Sequence, residues 1–180
     1  MSLLKLLGLR EDQLEGVNTD KVKVDAIHRI VSLLETLPED RAYYLATFAY
    51  ILGRVAHADS KISSREIEKM QEIVCLLGHL PQEQAMLVVE IAIKQVQLFG
   101  STENISVSKQ FKKMTTPEQR EELLDCVFAV SAADESITVV EEGQARQISM
   151  ELGMTHDEFI DARAAFLEHI EAIKGFQKYL

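Results

Sequence analysis

The chain has 180 residues, of which 47% are hydrophobic and 27% are charged, and its formal net charge is −10. This length suits one medium domain or two small fused units, and the apolar content is too high for a disordered chain. The negative charge argues against a nucleic-acid-binding protein, which needs a basic surface. The apolar runs are too short to span a membrane. Both cysteines fall inside apolar helical patterns, and buried thiols fit a reducing compartment better than a disulfide framework does. We therefore expect a soluble, cytoplasmic protein.

Residues 1–37 precede the strongest helical signals and are expected to form an N-terminal extension and one helix. Leu3–Leu9 is an apolar run that Lys5 interrupts, and no small-residue cleavage site follows it, so a secretory signal is not expected. A short helical turn and a loop are expected within residues 1–17. A helix is expected over about residues 21–37, because polar residues before it offer caps and apolar residues recur within it at helical spacing.

Two later segments repeat one helical pattern. Residues 38–99 and 117–180 each begin at a proline followed by acidic or amide residues, which suits a first helical turn, and each then shows apolar residues at 3.6-residue spacing. Aligned at an offset of 75, they share these identities: Ala58/Ala133, Asp59/Asp134, Ile62/Ile137, Glu66/Glu141, Ile73/Ile148, Leu77/Leu152 and Gly78/Gly153. We predict an all-α helical bundle of two duplicated three-helix units with pseudo-twofold symmetry, plus the N-terminal helix. Residues 100–116 link the units, with a short helix around residues 108–114.

Glycines predict where several helices end. Gly78, Gly100 and Gly153 each follow an apolar periodic run, where a residue in the left-handed conformation often ends a helix. In the second unit the apolar stripe continues over residues 159–173, which predicts one long third helix that ends near Gly175.

Each unit contains a corner between its first two helices that carries a short polar motif. Ser63-x-x-Glu66 and Thr138-x-x-Glu141 have the pattern of capping boxes, in which the hydroxyl accepts from a backbone amide of the helix and the glutamate accepts from the cap amide. One isoleucine in each corner is expected to be buried in the core. Helix capping accounts for the whole motif and is the favoured interpretation.

A divalent-cation site is the alternative interpretation of the same corners. Its ligands would be the four corner carboxylates of Asp59, Glu66, Asp134 and Glu141. The spacing from each aspartate to its glutamate matches the second half of an EF-hand loop, with an apolar residue between them. A complete EF-hand is excluded, because no carboxylate stands at the first or third loop position. The two carboxylates of each corner, with carbonyls and water, would hold Ca²⁺ or Mg²⁺ weakly.

The sequence shows no catalytic constellation. It contains no His-x-x-x-His or Glu-x-x-His motif for a metal enzyme and no Cys-x-x-Cys pair for zinc or redox chemistry. It also lacks a glycine-rich phosphate loop and a Gly-x-Ser-x-Gly nucleophile elbow. We expect a protein that is not an enzyme and that needs no cofactor, unless the corners hold Ca²⁺ or Mg²⁺.

The corner pattern Ala-Asp-x-x-Ile-x-x-x-Glu, which closes an apolar helix and is then repeated, resembles the TerB-like family, named for tellurite-resistance proteins. The second copy carries the more specific match, from Phe128 through Asp134 to Glu141 and on to His156–Phe159. The resemblance covers about residues 38–170 and is greatest to bacterial TerB-like proteins without an assigned role. It implies a compact all-helical fold with pseudo-twofold internal symmetry, a link to tellurite or metal stress, and no established catalytic activity. This chain departs from the family pattern because no glycine follows either aspartate.

These observations lead to two functional hypotheses. The first is a non-enzymatic binding or adaptor protein that acts on a protein partner through a surface groove between the repeats. The alternative is a Ca²⁺ or Mg²⁺ sensor or buffer that uses the four corner carboxylates.

Overall fold

A computed structural model of the chain describes residues 21–56, 63–99 and 104–171. In these ranges it contains eight α-helices and two short 3₁₀ turns, and a single parallel bridge between Ile137 and Ile170. The helices are α1 (Lys21–Glu35), α2 (Glu39–Gly53), α3 (Ser64–Leu76), α4 (Gln82–Phe99), α5 (Asn104–Met114), α6 (Pro117–Ser131), α7 (Val139–Leu152) and α8 (His156–Ala164). The all-α helical bundle predicted from the sequence is confirmed.

The helix α2 lies at the centre of the N-terminal half. Nearly every residue from Ala42 to Gly53 is buried, because α2 packs against α4 on one side and against α5 and α6 on others. Its start follows the prediction: Pro38 precedes the first helical residue, and Glu39 and Asp40 occupy the first turn, where they interact favourably with the helix dipole. The predicted N-terminal helix is α1, and residues 1–20 lie outside the described residues.

The connection between the two units contributes to the core. The helix α5 buries Val107 and Phe111, and it packs against both α2 and α7. Tyr44 and Phe48 of α2 meet the Phe111 ring at centroid distances of 5.6 and 6.2 Å. Such aromatic contacts add to the free energy gained from apolar burial. The predicted linker helix is therefore present, although it begins at Asn104, earlier than predicted. Its contacts with α2 and α7 join the two halves.

The prediction of one long third helix in the second unit is wrong. The helix α8 ends at Ala164, and a 3₁₀ turn over Leu167–His169 leads into an extended residue, Ile170. This turn lets the amide of Ile137 donate to the carbonyl of His169 at 2.6 Å and the amide of Glu171 donate to the carbonyl of Ile137 at 3.0 Å. The backbone pairing ends the helix although the apolar spacing continues. Residues 172–180, with Gly175, lie outside the described residues.

The glycine predictions have mixed outcomes. Gly153 ends α7 with a φ of +72°, as expected. After α3 the left-handed residue is His79, with a φ of 48°, and not Gly78. Gly78 is required for a different reason, since a Cβ there would lie 2.6 Å from the carbonyl oxygen of Val74. Gly100 lies outside the described residues.

The same order of elements occurs in both halves. A helix, a corner and two further helices form α2–α4 and then α6–α8. In the second half Phe128 of α6 packs against Phe159 and Phe166, each with ring centroids 5.7 Å apart. The internal duplication itself stays a prediction from the sequence. None of the helices in the described ranges has both the length and the hydropathy to cross a membrane.

Candidate functional site

The second corner is a tightly bonded turn between α6 and α7. A 3₁₀ turn over Ala132–Asp134 continues α6, and Glu135 then adopts the left-handed conformation, with a φ of 74°. This conformation favours glycine, but Glu135 adopts it here. Ile137 is fully buried, as the sequence predicted for the corner isoleucine. Its bridge to Ile170 fixes the turn against the residues that follow the second 3₁₀ turn.

The glutamate of the second corner is engaged in helix capping. The carboxylate of Glu141 accepts hydrogen bonds from the Thr138 amide at 2.8 Å and from the Thr138 hydroxyl at 2.7 Å. In return, the amide of Glu141 donates to the Thr138 hydroxyl at 3.2 Å. The predicted capping box is therefore confirmed, and one carboxylate oxygen of Glu141 is already occupied.

The first corner begins its outgoing helix in the same way. The carboxylate of Glu66 accepts from the amide of Ser63 at 2.7 Å, and the Ser63 hydroxyl accepts from the Glu66 amide at 3.3 Å. The hydrogen bonds from Ser63 hold the pKa of the exposed Glu66 carboxyl below its usual value. Asp59 and Ile62 lie outside the described residues.

The four predicted cation ligands are not shown as one site. Asp59 and the side chain of Asp134 fall outside what the structure describes, and Glu66 and Glu141 each cap a helix. The ammonium of Lys69 donates to the carbonyl of Ala133, which places a positive charge beside the second corner. Within residues 21–56, 63–99 and 104–171 no group of three or more His, Cys, Asp or Glu side chains is arranged to hold a metal ion.

A groove lies on the N-terminal half, between α1, α3 and α4. Its volume is about 530 Å³, within the range of roughly 300–1,000 Å³ typical of clefts that bind ligands. Its lining residues are Arg29, Leu33, Ile67, Gln71, Glu83, Met86, Leu87, Glu90, Ile93 and Lys94. Leu33 and Met86 are 43% and 47% exposed, so the groove presents apolar surface to solvent. Sequence reasoning placed a groove between the repeats, whereas this one lies within the first repeat and depends on α1.

Charged side chains form one edge of the groove. The carboxylate of Glu90 accepts from the Arg29 guanidinium at 2.5 Å and from the Lys94 ammonium at 2.8 Å. Partial burial raises the pKa of Glu90, but the hydrogen bonds from Lys94 and Arg29 outweigh it and keep the pKa below its usual value. Glu90 therefore stays ionised and holds α1 beside α4.

A buried ion pair that sequence reasoning missed joins the two halves. Arg54, at the end of α2, donates to Glu151 of α7 at 2.6 Å, and the Ser108 hydroxyl of α5 donates to the same carboxylate at 2.7 Å. The two charged side chains are only 3% and 11% exposed. Burial raises the pKa of Glu151, but the hydrogen bonds from Arg54 and Ser108 outweigh it and lower the pKa. The partners are 97 positions apart, and no local pattern connects them.

Cys126 does not resemble a reactive thiol. Cys126 is fully buried in α6, and burial, with the nearby carboxylates of Asp125 and Glu122, raises the pKa of its thiol far above the usual value. A thiol in this environment is a poor nucleophile, because the thiolate is the reactive form. Cys75 is half-buried and is also free of a disulfide.

Comparisons with known proteins identify a family. Residues 44–164, about two thirds of the chain, match the family model described as tellurite resistance protein TerB. The match spans both corners and extends from the first turns of α2 to the end of α8. Searches of curated proteins and of solved structures give no significant match. The chain belongs to the TerB family of tellurite resistance proteins.

Proposed function

We propose that this chain is a non-enzymatic binding protein that recruits a protein partner through the groove between α1, α3 and α4, as part of a response to tellurite or other metal stress. The groove is the observation that carries the proposal. The link to tellurite rests on the family description.

The composition of the groove suits a helical partner. Leu33, Met86 and Ile93 supply apolar surface, and Arg29 and Glu83 supply charges of both signs near it. An amphipathic helix binds such a surface by placing its apolar face in the groove and its polar face in solvent. Methionine suits this role, because its flexible side chain adapts to different partners.

The residues outside the groove favour a structural role over catalysis. The glutamates of both corners cap helices, Cys126 is buried, and the Arg54–Glu151 pair is enclosed by three helices. Catalytic groups usually gather in a cleft with shifted pKa values and free polar atoms. In the groove, the carboxyl of Glu90 has a shifted pKa, but it is already paired with two cations, Arg29 and Lys94.

Capture of partners from cells tests the proposal. The tagged full-length chain is expressed in bacteria exposed to tellurite, beside Met86→Glu and the matched control Met150→Glu, which changes an exposed methionine on α7. We expect a partner that is recovered with the original chain and with Met150→Glu and is lost with Met86→Glu. Recovery of the same proteins with all three chains, or of none, would contradict the proposal. Circular dichroism confirms that each variant is folded.

The cation-sensor alternative is less well supported by the geometry. It requires Glu66 and Glu141 to exchange their capping hydrogen bonds for an ion, and Lys69 adds an unfavourable charge near the second corner. Calorimetric titration with Ca²⁺ and with Mg²⁺ decides between the two. We expect no binding heat. A saturable heat that the double substitution Asp59→Asn and Asp134→Asn abolishes would establish the sensor instead.

A further inference from the structure

We propose that the groove between α1, α3 and α4 selects a partner helix that lies antiparallel to α4 and carries charges in a fixed order. This helix has an apolar face, an acidic residue opposite Arg29 and Lys94, and a basic residue opposite Glu83. The inference rests on the proposed function, because it names the kind of partner that the same groove binds. It adds an orientation and a sequence rule, which the capture of a partner does not test.

The groove carries opposite charges at two places along α4. Glu83 is exposed in the first turn of α4, and among the residues that the structure describes it has no hydrogen bond or ion pair. About two turns further along the helix, Glu90 accepts from both Arg29 and Lys94, so two cations surround one carboxylate. The groove therefore has a negative charge to be matched at Glu83 and a surplus positive charge beside Glu90.

The two cations have donors left for a second carboxylate. A guanidinium group has five N–H donors and an ammonium group has three. Arg29 donates to one oxygen of Glu90 through Nη2, and Lys94 donates to the other oxygen. Because the Arg29 side chain is 65% exposed, a partner reaches its remaining donors. An acidic side chain is attracted to this place, and a basic one is repelled from it.

Apolar surface lies between the two charged places. On α4, Met86 and Leu87 occupy the turn between Glu83 and Glu90, and all four side chains line the groove. Leu33 of α1 adds to the apolar lining. Met86 and Leu33 remain 47% and 43% exposed. A partner helix with apolar residues between its two charged residues covers this surface.

The helix dipole gives the direction of the partner. Acidic residues stabilise a helix near its N-terminus, and basic residues stabilise it near its C-terminus. A helix with this order of charges matches the groove only if its N-terminal end lies beside Arg29 and Lys94 and its C-terminal end lies beside Glu83. Because Glu83 is at the start of α4, such a helix runs antiparallel to α4.

The spacing of the groove residues gives the sequence rule. An acid opposite Glu90 and a base opposite Glu83 are seven positions apart, because antiparallel helices advance by the same rise per residue. Apolar residues three and four positions after the acid fall opposite Leu87 and Met86, and one that stands three positions before the acid falls opposite Ile93. These five positions lie within an arc of about 120° on one helix face. The rule is Leu-x-x-Glu-x-x-Leu-Leu-x-x-Lys.

A synthetic helix tests the rule on the full-length chain. The probe is a fluorescent peptide of about 20 residues with this segment at its centre and alanine and glutamine elsewhere, because shorter isolated helices are marginally stable. A second peptide has glutamate in place of the lysine. We expect fluorescence anisotropy to show saturable binding of the first peptide and about tenfold weaker binding of the second, since the change replaces an attraction at Glu83 by a repulsion. Equal affinities would overturn the rule.

An exchange of charges locates the contact. Glu83→Lys should reverse the preference, so that the variant binds the glutamate peptide about tenfold more tightly than the lysine peptide. Asp157→Lys is the matched control, because Asp157 is also an exposed acid in the first turn of a helix, α8. This control should keep the original preference. If Glu83→Lys keeps it as well, Glu83 does not meet the basic residue and the proposal is wrong.

Crosslinking tests the orientation. A benzophenone group at either end of the first peptide attaches to nearby residues of the chain, and mass spectrometry identifies them. The group at the N-terminal end should attach near Lys94, and the group at the C-terminal end should attach near Glu83. The opposite pattern would show a parallel helix and would overturn the proposed orientation.

Three further outcomes separate this inference from related explanations. Capture of a partner that Met86→Glu abolishes, together with equal affinities for the two peptides, would overturn the rule and leave the proposed function standing. The expected peptide preference with no captured partner would support the rule and contradict the proposed function. Self-association of the chain that the first peptide reverses would assign the groove to a second copy and overturn the binding of a different protein.

Discussion

Equivalent faces of the two halves differ in whether their helices enclose a groove. In the first half, Ile67 and Gln71 of α3 line the groove beside α4. The offset of 75 pairs these two residues with Glu142 and Arg146 of α7. The two halves therefore present different side chains on the same helix face.

In the second half these side chains bind the neighbouring helix. Glu142 accepts from the Arg163 guanidinium of α8 at 2.7 Å, and Arg146 lies over the Phe159 ring, 4.4 Å from its centroid. An ion pair and a cation–π contact thus close the face that stays open in the first half. The comparison teaches that corresponding side chains close this face in the second half, whereas Leu33 and Met86 stay exposed in the first half. Under the proposed function, this exposed apolar surface binds the partner.

The largest predicted effect concerns the ion pair that joins the two halves. Arg54→Met leaves Glu151 buried without its cation, which costs about 3–5 kcal/mol of unfolding free energy. Urea denaturation measures the loss. The double variant Arg54→Met and Glu151→Met removes both charges and should recover most of the stability. A loss below about 1 kcal/mol for Arg54→Met would mean that the pair behaves like an exposed one.

Acid should weaken the same ion pair. Because the pKa of Glu151 in the folded chain is below its ordinary value of 4.5, the stability that ionised Glu151 contributes is complete above this pH. It is lost as the pH falls below 4.5 and through the lower pKa of the folded chain. We expect stability to fall more steeply in acid for the original chain than for Glu151→Gln. Equal slopes in urea denaturation between pH 6 and pH 3 would contradict this account.

Loss of the Arg163–Glu142 ion pair, which closes the second half, should have an intermediate effect on the free energy of unfolding. The Arg163 and Glu142 side chains are 19% and 15% exposed, so Arg163→Met should cost about 1–2 kcal/mol, between the values for exposed and buried pairs. Thermal denaturation followed by circular dichroism checks this. A cost as large as that of Arg54→Met would contradict the expected order of the two ion pairs.

The smallest predicted effect belongs to the groove. Arg29 is 65% exposed, and Arg29→Met should cost no more than about 1 kcal/mol, because solvent screens an exposed pair. The three Arg→Met changes then form a matched series ordered by burial. If Arg29→Met lowered the free energy of unfolding more than Arg163→Met does, the distinction between an open first half and a closed second half would be wrong.

The features that the sequence predicted correctly depend on residues that are close together in the chain. The capping boxes at Ser63 and Thr138 were found because their partners lie three residues away, and the box formed by Thr155 and Glu158 has the same spacing. The end of α8 at Ala164 was missed, because the backbone pairing of Ile170 with Ile137 competes with an apolar pattern that favours a longer helix.

The features formed by distant parts of the chain could not be predicted. Arg54 and Glu151 are adjacent only after α2 and α7 have packed around α5. The groove depends likewise on where α1 lies against α4, through the contact of Arg29 with Glu90. Helical periodicity gives the buried face of each helix and does not give which exposed faces meet.

Tellurite tolerance in cells that lack this chain tests most directly the claim that the groove, and not the corners, carries the function. The chain is restored as the original sequence, as Met86→Glu, or as the double variant Glu66→Gln and Glu141→Gln. Glutamine preserves a capping box and removes the charge that a cation needs. We predict that the original chain and the double corner variant restore tolerance and that Met86→Glu does not. Tolerance restored by Met86→Glu and lost in the corner variant would contradict the account.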